Sequence, residues 1–305
     1  MGSTFRQQAA WWMNHSQTRK RKPIKPATAV GYQSYIDKWL NPNVGDMPLW
    51  QVDNKAAKTL VSKLAEANLA PKTVIEIVAV VKLVVASATD ESGKPIYPRE
   101  WNHEFIDMPT VKAIEQYTPT VEAEDVSEII SKAQGRHKVL YAVLAGTGMR
   151  IGEALAIEIG EPSNERTTIS TDCKTISIRR SIWRGRKQNP KTDSAVREID
   201  VPAPLSAMLK DFIGSRTSGF LFQTKTGRPL MPRNVHRDLR KITEKATFHA
   251  FRRFRITNLR EIGVPEDILR FWVGHADRSI TDRYSKMKKR TPLRVGRRSG
   301  FARAL

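Results

Sequence analysis

Apolar and aromatic residues recur at helical spacing through the first third of the chain. In the first such segment they are Tyr32, Tyr35, Ile36, Trp39 and Leu40. Residues 53–67 repeat the pattern behind Asp53, a residue type that favours the position before a helix. Positions three and four apart share one helix face, so both segments can bury an apolar stripe. The pattern predicts an N-terminal part built of helices.

The most apolar stretch of the chain covers residues 74–88. It follows Pro71, a residue that fits the first turn of a helix, and it contains Glu76 and Lys82. A helix that spans a bilayer needs roughly 20 consecutive apolar residues, more than this stretch supplies. We therefore predict a buried helix and no membrane anchor.

Alternation of apolar and polar residues, which is typical of strands, occurs only in the second half of the chain. It covers residues 175–185 and 195–202, with the turn-forming segment 189–194 between them. These two segments predict an antiparallel hairpin with residues 189–194 at its tip. Helical patterns surround the hairpin at residues 123–133, 138–149, 204–213, 232–246, 249–262 and 265–273.

These patterns together predict a mainly α protein of two domains. Residues 1–112 are expected to form a helical N-terminal domain. Residues 113–305 are expected to form an α+β domain with a small antiparallel sheet. We place the linker at about residues 110–120, where turn-forming residues interrupt the helical pattern.

Charge is the strongest signal in the composition. Of 305 residues, 52 are Lys or Arg and 31 are Asp or Glu, which gives a formal net charge of +21. This excess indicates a polyanionic partner, with a basic ribosomal or membrane-surface protein as the alternative.

Residues 19–26 are interpreted as a basic N-terminal arm or a solvated tether, and residues 286–305 as a basic C-terminal tail. The candidate DNA contacts are Arg19, Lys20, Arg21, Lys22, Lys72, Arg184, Arg186, Lys187 and Arg253. Arg255 is likewise expected to face DNA or solvent.

Cys173 is the single cysteine of the chain, so an intrachain disulfide is impossible. A lone thiol is typical of a reducing compartment. Residues 1–20 lack the uninterrupted apolar segment of a signal peptide. We therefore expect a cytoplasmic protein associated with the nucleoid.

Two short motifs place an arginine three residues from a polar partner. Arg150 and Glu153 occur in GTGMRIGEAL, and His249 and Arg252 occur in HAFRR. Residues at this spacing share a helix face. The planar guanidinium suits phosphate because it donates two parallel hydrogen bonds and stays charged. Each motif alone is equally compatible with a surface ion pair or an ordinary packed histidine.

A third motif joins a histidine to a tyrosine near the end of the chain. His275 in VGHAD precedes Tyr284 in DRYSK by nine residues. The phenol of tyrosine, with a pKa of about 10, is a poor nucleophile unless a base and positive charge assist it. A lysine could supply the leaving group with a proton. The candidates are Lys191, in NPKTDSAVREI at the tip of the predicted hairpin, and Lys187, four residues earlier.

The order and spacing of these residues resemble the tyrosine recombinase (phage integrase) family, over most of the chain. The catalytic residues that the resemblance implies are Arg150, Lys191, His249, Arg252, His275 and Tyr284. Glu153 would brace Arg150, which grips the scissile phosphate together with Arg252. Tyr284 would attack that phosphate, and Lys191 would protonate the leaving 5′ oxygen.

The resemblance implies a site-specific DNA recombinase that works without metal or cofactor through a 3′-phosphotyrosine. Its partner would be double-stranded DNA that carries recombination sites, bound by four protomers as two dimers through a Holliday junction. Accessory DNA-bending or directionality proteins are left open. A type IB topoisomerase is the close rival, and a non-catalytic DNA-binding regulator is the more distant one. The pairing of His249 with Arg252 beside His275 favours the recombinase, and the intact nucleophile argues against the regulator.

Motifs for other phosphoester chemistries are missing from the sequence. It contains no tight Asp/Glu cluster of the kind used in two-metal nucleases and no HExxH. It contains no GxxxxGK[ST], and one cysteine cannot form a CxxC pair. We therefore expect no metal and no nucleotide cofactor.

Overall fold

The computed structural model describes residues 2–111, 119–161, 163–189 and 195–274. The chain divides into two compact units, Met1–Tyr117 and Thr118–Leu305. The boundary predicted after residue 112 lies a few residues before this division. Each unit has a hydrophobic core of its own among the described residues.

Helices dominate the first unit. They are α1 (Phe5–Thr18), α2 (Pro26–Tyr35), α3 (Asn41–Val44), α4 (Asn54–Glu66), α5 (Pro71–Ala86) and α6 (His103–Ile106). A π-helical turn at Ile36–Leu40 and a 3₁₀ turn at Leu49–Gln51 connect some of them. The Asp53 side chain accepts a hydrogen bond from the backbone N–H of Ala56 at 3.0 Å, which caps α4. Pro71 occupies the first turn of α5, so both helices begin where the sequence predicts.

The apolar helix α5 lies at the centre of the first unit. It packs against α1, α2 and α4, and its residues Ile77, Val78 and Val84 are fully buried. The predicted buried helix over residues 74–88 is therefore confirmed. Among the residues that the structure describes, no helix combines the length and apolar character needed to cross a membrane.

The second unit combines helices with short strands. Its helices are α7 (Ala123–Lys132), α8 (Gly135–Thr147), α9 (Ile151–Ala154), α10 (Ala203–Ile213), α11 (Pro232–Arg240), α12 (Phe248–Glu261) and α13 (Glu266–Val273). Its strands are β1 (Ile157–Ile159), β2 (Thr167–Ile169), β3 (Thr175–Ile178), β4 (Ser181–Trp183), β5 (Arg186–Gln188), β6 (Arg197–Asp200) and β7 (Gly219–Phe220). Over the described ranges, five strands form one sheet in the order β6-β3-β2-β1-β7, and β4 and β5 form a separate hairpin.

The mainly α class with a small sheet is confirmed, but the sheet is mixed instead of purely antiparallel. Strands β1 and β2 run parallel, whereas the other neighbouring pairs are antiparallel. Strands β1, β2 and β7 have only two or three residues each. Such short strands carry too few positions for alternation to be recognised in the sequence.

The continuous strand predicted over residues 175–185 is wrong, because β3 and β4 are separated at Arg179 and Arg180. The Thr167 hydroxyl accepts from the backbone N–H groups of Arg179 at 2.9 Å and Arg180 at 2.8 Å. It donates to the Arg180 carbonyl at 2.9 Å. These backbone groups therefore bond to a side chain where a strand partner would otherwise stand. The chain turns into the β4–β5 hairpin, and β3 pairs directly with β6.

Helix α8 forms the core of the second unit and is buried on all sides in its C-terminal part. It packs against α7, α10 and α12. The Tyr141 ring stacks on Phe251 of α12 with centroids 6.0 Å apart, and its hydroxyl donates to the Val235 carbonyl at 3.3 Å. Because α8 and α12 lie side by side, the loop that follows α8 is held next to α12.

Cys173 belongs to the same core and is 2% exposed. It lies in the turn between β2 and β3 with a φ of +55°, in the left-handed region. Burial raises the pKa of its thiol above the ordinary value. The thiol is therefore an interior group with little thiolate character at neutral pH.

Candidate active site

Arg150 lies at the start of α9, in the loop that leaves the buried helix α8. That loop turns at Gly148, whose φ of +65° lies in the region that glycine adopts without strain. A Cβ on Gly148 would lie 3.2 Å from the Cβ of Arg255, so the glycine also allows α12 to approach closely. The Arg150 side chain remains 34% exposed. The loop thus presents a guanidinium that solvent, and hence a substrate, can reach.

Glu153 holds Arg150 through two contacts, as the three-residue spacing predicts. Its Oε1 accepts from Arg150 Nη1 at 2.9 Å, and its Oε2 accepts from the backbone N–H of Arg150 at 3.0 Å. The carboxylate is 3% exposed. Burial alone would raise the pKa of Glu153, but the charge and hydrogen bonds of Arg197, followed by those of Arg150, keep that pKa below its usual value. Glu153 is therefore an ionised, buried brace.

Arg197 also belongs to this cluster, although no sequence motif singles it out. It begins β6 and is 2% exposed. Its Nη2 lies 2.8 Å from Glu153 Oε2, and its Nη1 lies 3.3 Å from Glu153 Oε1. The strand alternates buried and half-buried positions from Arg197 onward, so the arginine occupies an inward-facing position. A charged residue at an inward position of a strand predicts a buried partner of opposite charge, and this signal was available in the sequence.

Arg252 is buried between the loop after α8 and the end of α13. It is 6% exposed, and its Nη1 donates to the Gly148 carbonyl at 2.8 Å. Its Nη2 donates to the Val273 carbonyl at the last residue of α13. Burial and then the charges of Arg150 and Arg197 lower the pKa of Arg252 to about 10. The guanidinium stays protonated at neutral pH and lies in the electrostatic field of Arg150.

His249 shares a face of α12 with Arg252 and lies in the first turn of the helix. The preceding Thr247 caps that turn by accepting from the backbone N–H of Ala250 at 3.2 Å. Partial burial, followed by the charges of Arg252, Arg253 and Arg150, lowers the pKa of His249. The imidazole is therefore neutral at physiological pH and able to accept a proton.

The charges of this cluster do not cancel. Within the part of the chain that the structure describes, three guanidiniums, on Arg150, Arg197 and Arg252, surround the carboxylate of Glu153. Three positive charges and one negative charge leave a formal charge of +2. Two of the guanidiniums are almost fully buried, where the local dielectric is low and charge interactions are strong. Such an arrangement is suited to stabilising the charge of a phosphoryl group in transfer.

Three of the predicted catalytic residues, Lys191, His275 and Tyr284, lie outside the described residues. Lys187, the alternative to Lys191, lies on β5 in the hairpin. Its Nζ is 2.7 Å from Glu158 Oε1, and the ammonium lies 5.1 Å from the centroid of the Phe220 ring. These contacts give Lys187 partners on β1 and β7, two strands of the five-stranded sheet.

The predicted DNA contacts fall into two groups. Eight of them have exposed side chains, and these are Arg19, Lys20, Arg21, Lys22, Lys72, Arg184, Arg186 and Lys187. Arg253 differs because it is half-buried and its Nε donates to the Pro119 carbonyl at 3.0 Å. The expectation that Arg255 faces DNA or solvent is wrong. It is 4% exposed, and its Nη1 donates to Asn258 Oδ1 at 3.2 Å.

Several solved structures share this architecture. The Tn1549 transposon integrase in complex with a circular intermediate DNA has a TM-score of 0.68 and 21% sequence identity, with 90% of this chain and 92% of that chain covered. A lambda integrase dimer bound to a COC′ core site has a TM-score of 0.63 and 13% identity, covering 94% of this chain and 97% of the other. At these identities the likeness establishes the fold, which is that of the DNA integrases.

Two proteins with similar sequences are also a recombinase and an integrase. The tyrosine recombinase XerC-like protein of Caldanaerobacter subterraneus subsp. tengcongensis is 25% identical over 296 residues, with 86% of this chain and 74% of the relative covered. The integrase of Staphylococcus phage L54a is 27% identical over 169 residues, which is 48% of each protein. The chain thus spans about half the length of the phage relative.

Residues 119–290 match the model of the phage integrase family. The matched span covers more than half of the chain and contains all six predicted catalytic residues. The chain belongs to the phage integrase family. It is a tyrosine site-specific recombinase, an enzyme that acts on DNA.

Proposed function

We propose that the chain cleaves and rejoins DNA through a covalent 3′-phosphotyrosine on Tyr284. The phenolic oxygen attacks the scissile phosphorus while the bond to the 5′ oxygen breaks. His249 accepts the phenolic proton with the help of His275, and Lys191 gives a proton to the leaving 5′ oxygen. Arg150 and Arg252 hold the two non-bridging oxygens throughout.

The arrangement of Arg150 and Arg252 around one loop carries this proposal. Arg252 Nη1 donates to the Gly148 carbonyl, two residues before Arg150, so this hydrogen bond ties Arg252 to the loop that carries Arg150. The charge of Arg150 contributes to the lowered pKa of Arg252. The formal charge of +2 that remains in the cluster after Glu153 is counted is costly to hold in a largely buried site unless a further anion binds there. A phosphodiester with two free oxygens is such an anion.

The state of His249 supports its role as the proton acceptor. Its lowered pKa keeps the ring neutral at physiological pH, as a general base requires. Its place in the first turn of α12, three residues before Arg252, puts the base beside the phosphate grip. A phenol with a pKa of about 10 needs both a base and nearby positive charge, and the cluster supplies both.

The proposed reaction requires no external energy source. The phosphotyrosine ester replaces the phosphodiester, so the bond energy is retained and a free 5′ hydroxyl can attack the ester to rejoin DNA. Exchange of 5′ hydroxyls between two duplexes converts cleavage and rejoining into recombination. The roles assigned to residues of this chain involve neither a metal nor a nucleotide.

We propose that two duplexes and four protomers assemble for strand exchange through a Holliday junction. A lambda integrase tetramer bound to a Holliday junction shares the fold, with a TM-score of 0.63 and 13% identity over 90% of this chain. The net charge of +21 supports binding of a large polyanion by each protomer. Recombination sites in the DNA would set the register of the assembly.

Covalent trapping tests the cleavage step. The purified chain is mixed with a labelled library of nicked duplexes of randomised sequence, in which the nick lets the released strand diffuse away. We expect protein–DNA adducts that survive denaturation, carry the label on a 3′ end and disappear in Tyr284→Phe. The absence of adducts from the folded wild-type protein across the library would refute the nucleophilic role of Tyr284.

Strand exchange separates the recombinase mechanism from its closest rival. Sequences recovered from the adducts are built into two duplexes of different length, and recombinant products are measured by size. Exchange in the absence of added metal or ATP supports the proposal. Relaxation of supercoils without exchange would indicate a topoisomerase, and sequence-specific binding without adducts would indicate a regulator.

A further inference from the structure

Arg197 bonds to the buried carboxylate of Glu153 and is itself buried, so a substrate cannot reach it. The residue is 2% exposed and is fixed by four hydrogen bonds. Two reach the Glu153 carboxylate, at 2.8 Å and 3.3 Å. Two more reach backbone carbonyls, from Nε to Trp272 at 2.7 Å and from Nη1 to Ala195 at 3.0 Å. These bonds orient the guanidinium, and Glu153 is its acidic partner among the residues that the structure describes.

The C-terminal end of helix α13 packs against the Arg197 guanidinium. A Cβ placed on Gly274 would lie 2.8 Å from Arg197 Nη1 and 3.0 Å from its Cζ. The backbone at the end of α13 thus packs directly against the guanidinium. Its Trp272 carbonyl also lies at the negative end of the helix dipole, which favours a cation there. These contacts hold the charge of Arg197 next to Glu153.

Arg150 and Arg197 are the cationic partners of Glu153 within the described ranges, and their number sets the net charge that a substrate would meet. With Arg150 as its only partner, the buried carboxylate would cancel the charge of the guanidinium that it braces. Arg197 supplies a second positive charge, so the three groups together retain a charge of +1. The causes of the lowered pKa of Glu153 are consistent with this charge balance, because Arg197 lowers that pKa more than Arg150 does. Glu153 can thus hold Arg150 in place without neutralising it.

We propose that Arg197 is a positioning residue that neutralises Glu153, so that Arg150 keeps its positive charge for the scissile phosphate. The inference rests on the proposed function, since it assigns the source of the charge that Arg150 brings to the phosphate. It separates two tasks that a simple Arg–Glu pair would combine. Glu153 fixes the geometry of Arg150, and Arg197 preserves its charge.

Removal of the charge of Arg197 tests the proposal while a hydrogen-bond donor is kept. In Arg197→Gln, single-turnover cleavage of an adduct-forming duplex is expected to slow roughly 100-fold. Affinity for the same duplex should change little, because exposed residues supply most phosphate contacts. Arg197→Lys keeps the charge and should lose much less cleavage than Arg197→Gln. Equal cleavage by Arg197→Gln and the wild-type protein would overturn the proposal.

A second substitution distinguishes charge balance from loss of packing. Glu153→Gln removes the carboxylate that Arg197 balances, so Arg197→Gln should cost far less cleavage in that background than in the wild-type protein. The deficit of Arg197→Gln should also shrink as the pH is lowered, because protonation of Glu153 removes the unbalanced charge. A purely structural role predicts the same deficit in both backgrounds and at every pH. If Arg197→Gln alone fails to fold, cleavage by Glu153→Gln is compared with cleavage by the variant that carries both substitutions. A much lower cleavage rate in the doubly substituted protein would overturn the proposal.

A measurement without DNA keeps this inference separate from the proposed function. Carboxyl-carbon NMR can follow the titration of Glu153, with its signal assigned by its absence in Glu153→Gln. We expect the pKa of Glu153 to rise in Arg197→Gln, because burial then acts against fewer charges. An unchanged titration would overturn the charge-balancing role even in an active enzyme. A shifted titration in a protein that forms no adducts would leave that role standing and refute the proposed chemistry alone.

Discussion

Arg252 donates a hydrogen bond from Nη1 to the Gly148 carbonyl oxygen at 2.8 Å, two residues before Arg150. This bond joins helix α12 to the loop that carries the other phosphate-binding candidate. Nη2 of the same guanidinium bonds to the Val273 carbonyl at the end of α13. One buried side chain thus connects three segments that are far apart in the sequence, and it fixes them around the candidate site.

Arg252→Lys should lower cleavage much more than it lowers DNA affinity. A single ammonium cannot contact the Gly148 and Val273 carbonyls together and also a phosphate oxygen in the geometry of a guanidinium. We expect single-turnover cleavage to fall by about 100–1,000-fold, the usual cost of removing one preorganised donor. Arg260→Lys, on the exposed side of the same helix, is the matched control and should cleave normally. Similar rates for Arg252→Lys and the control would contradict the assigned role.

Arg150→Lys should also separate cleavage from binding. The lysine keeps a positive charge but loses the parallel hydrogen bonds to a phosphate and the bond from Nη1 to Glu153. We expect cleavage to fall by about 100-fold or more, while the dissociation constant for duplex DNA changes little. Adduct formation and equilibrium binding on the same duplex provide the two measurements. Undiminished adduct formation would remove Arg150 from the phosphate grip.

The pH dependence of cleavage should follow His249. Burial and the neighbouring arginines depress its pKa below the ordinary value of about 6.5, so the neutral form persists through that pH. Cleavage should therefore hold constant as the pH falls to about 6.5 and decline only below the depressed pKa. His249→Gln should remove this acidic limb and lower the plateau. A decline that begins well above pH 6.5 would show that another group controls the rate.

Gly274→Ala should destabilise the second unit more than Gly263→Ala does. Both glycines have positive φ values, +64° and +74°, so both substitutions introduce backbone strain of about 1 kcal/mol. A Cβ at Gly274 would lie 2.8 Å from Arg197 Nη1, whereas a Cβ at Gly263 would meet no atom within 4 Å. We expect a further loss of about 1–3 kcal/mol in the free energy of unfolding for Gly274→Ala. Denaturant titration of both variants gives the comparison, and equal losses would refute the close contact.

The salt dependence of DNA binding should report on the basic arm. The net charge of +21 predicts an affinity that falls steeply with salt. If residues 19–26 contact phosphates, Lys20→Ala and Arg21→Ala should each reduce the slope of log affinity against log salt by about 0.9. Fluorescence anisotropy at several salt concentrations measures this slope. An unchanged slope would identify the segment as a solvated tether.

Much of the site was predictable because its pairs are local in the sequence. Arg150 with Glu153 and His249 with Arg252 are three residues apart, and helical geometry alone places each pair on one face. Arg197 was missed because its partner Glu153 lies 44 positions away. Glu153 lies on α9 and Arg197 on β6, so only the folded second unit brings the two together. The inward position of an arginine on a strand was the one local sign of that long-range contact.

The prediction for Arg255 failed for a different reason. It was assigned to the surface by its charge, although it lies three residues after Arg252 and four before Leu259, both of which are buried. Helical periodicity therefore places it on the inner face of α12. The prediction of one continuous strand over residues 175–185 failed for a related reason. The hydroxyl that separates β3 from β4 belongs to Thr167, which lies on another strand. Residue type and local sequence pattern do not reveal which distant residue a side chain or strand will contact in the fold.

The interior position of Cys173 makes the native chain a convenient starting point for optical experiments. With its one thiol shielded from solvent, maleimide dyes should react slowly with the unaltered protein. A cysteine introduced at an exposed position outside the predicted DNA contacts, such as Thr226 in the turn before Gly227, could then carry a fluorophore without background labelling. Distance changes between that turn and labelled DNA could be followed in real time during binding and strand exchange.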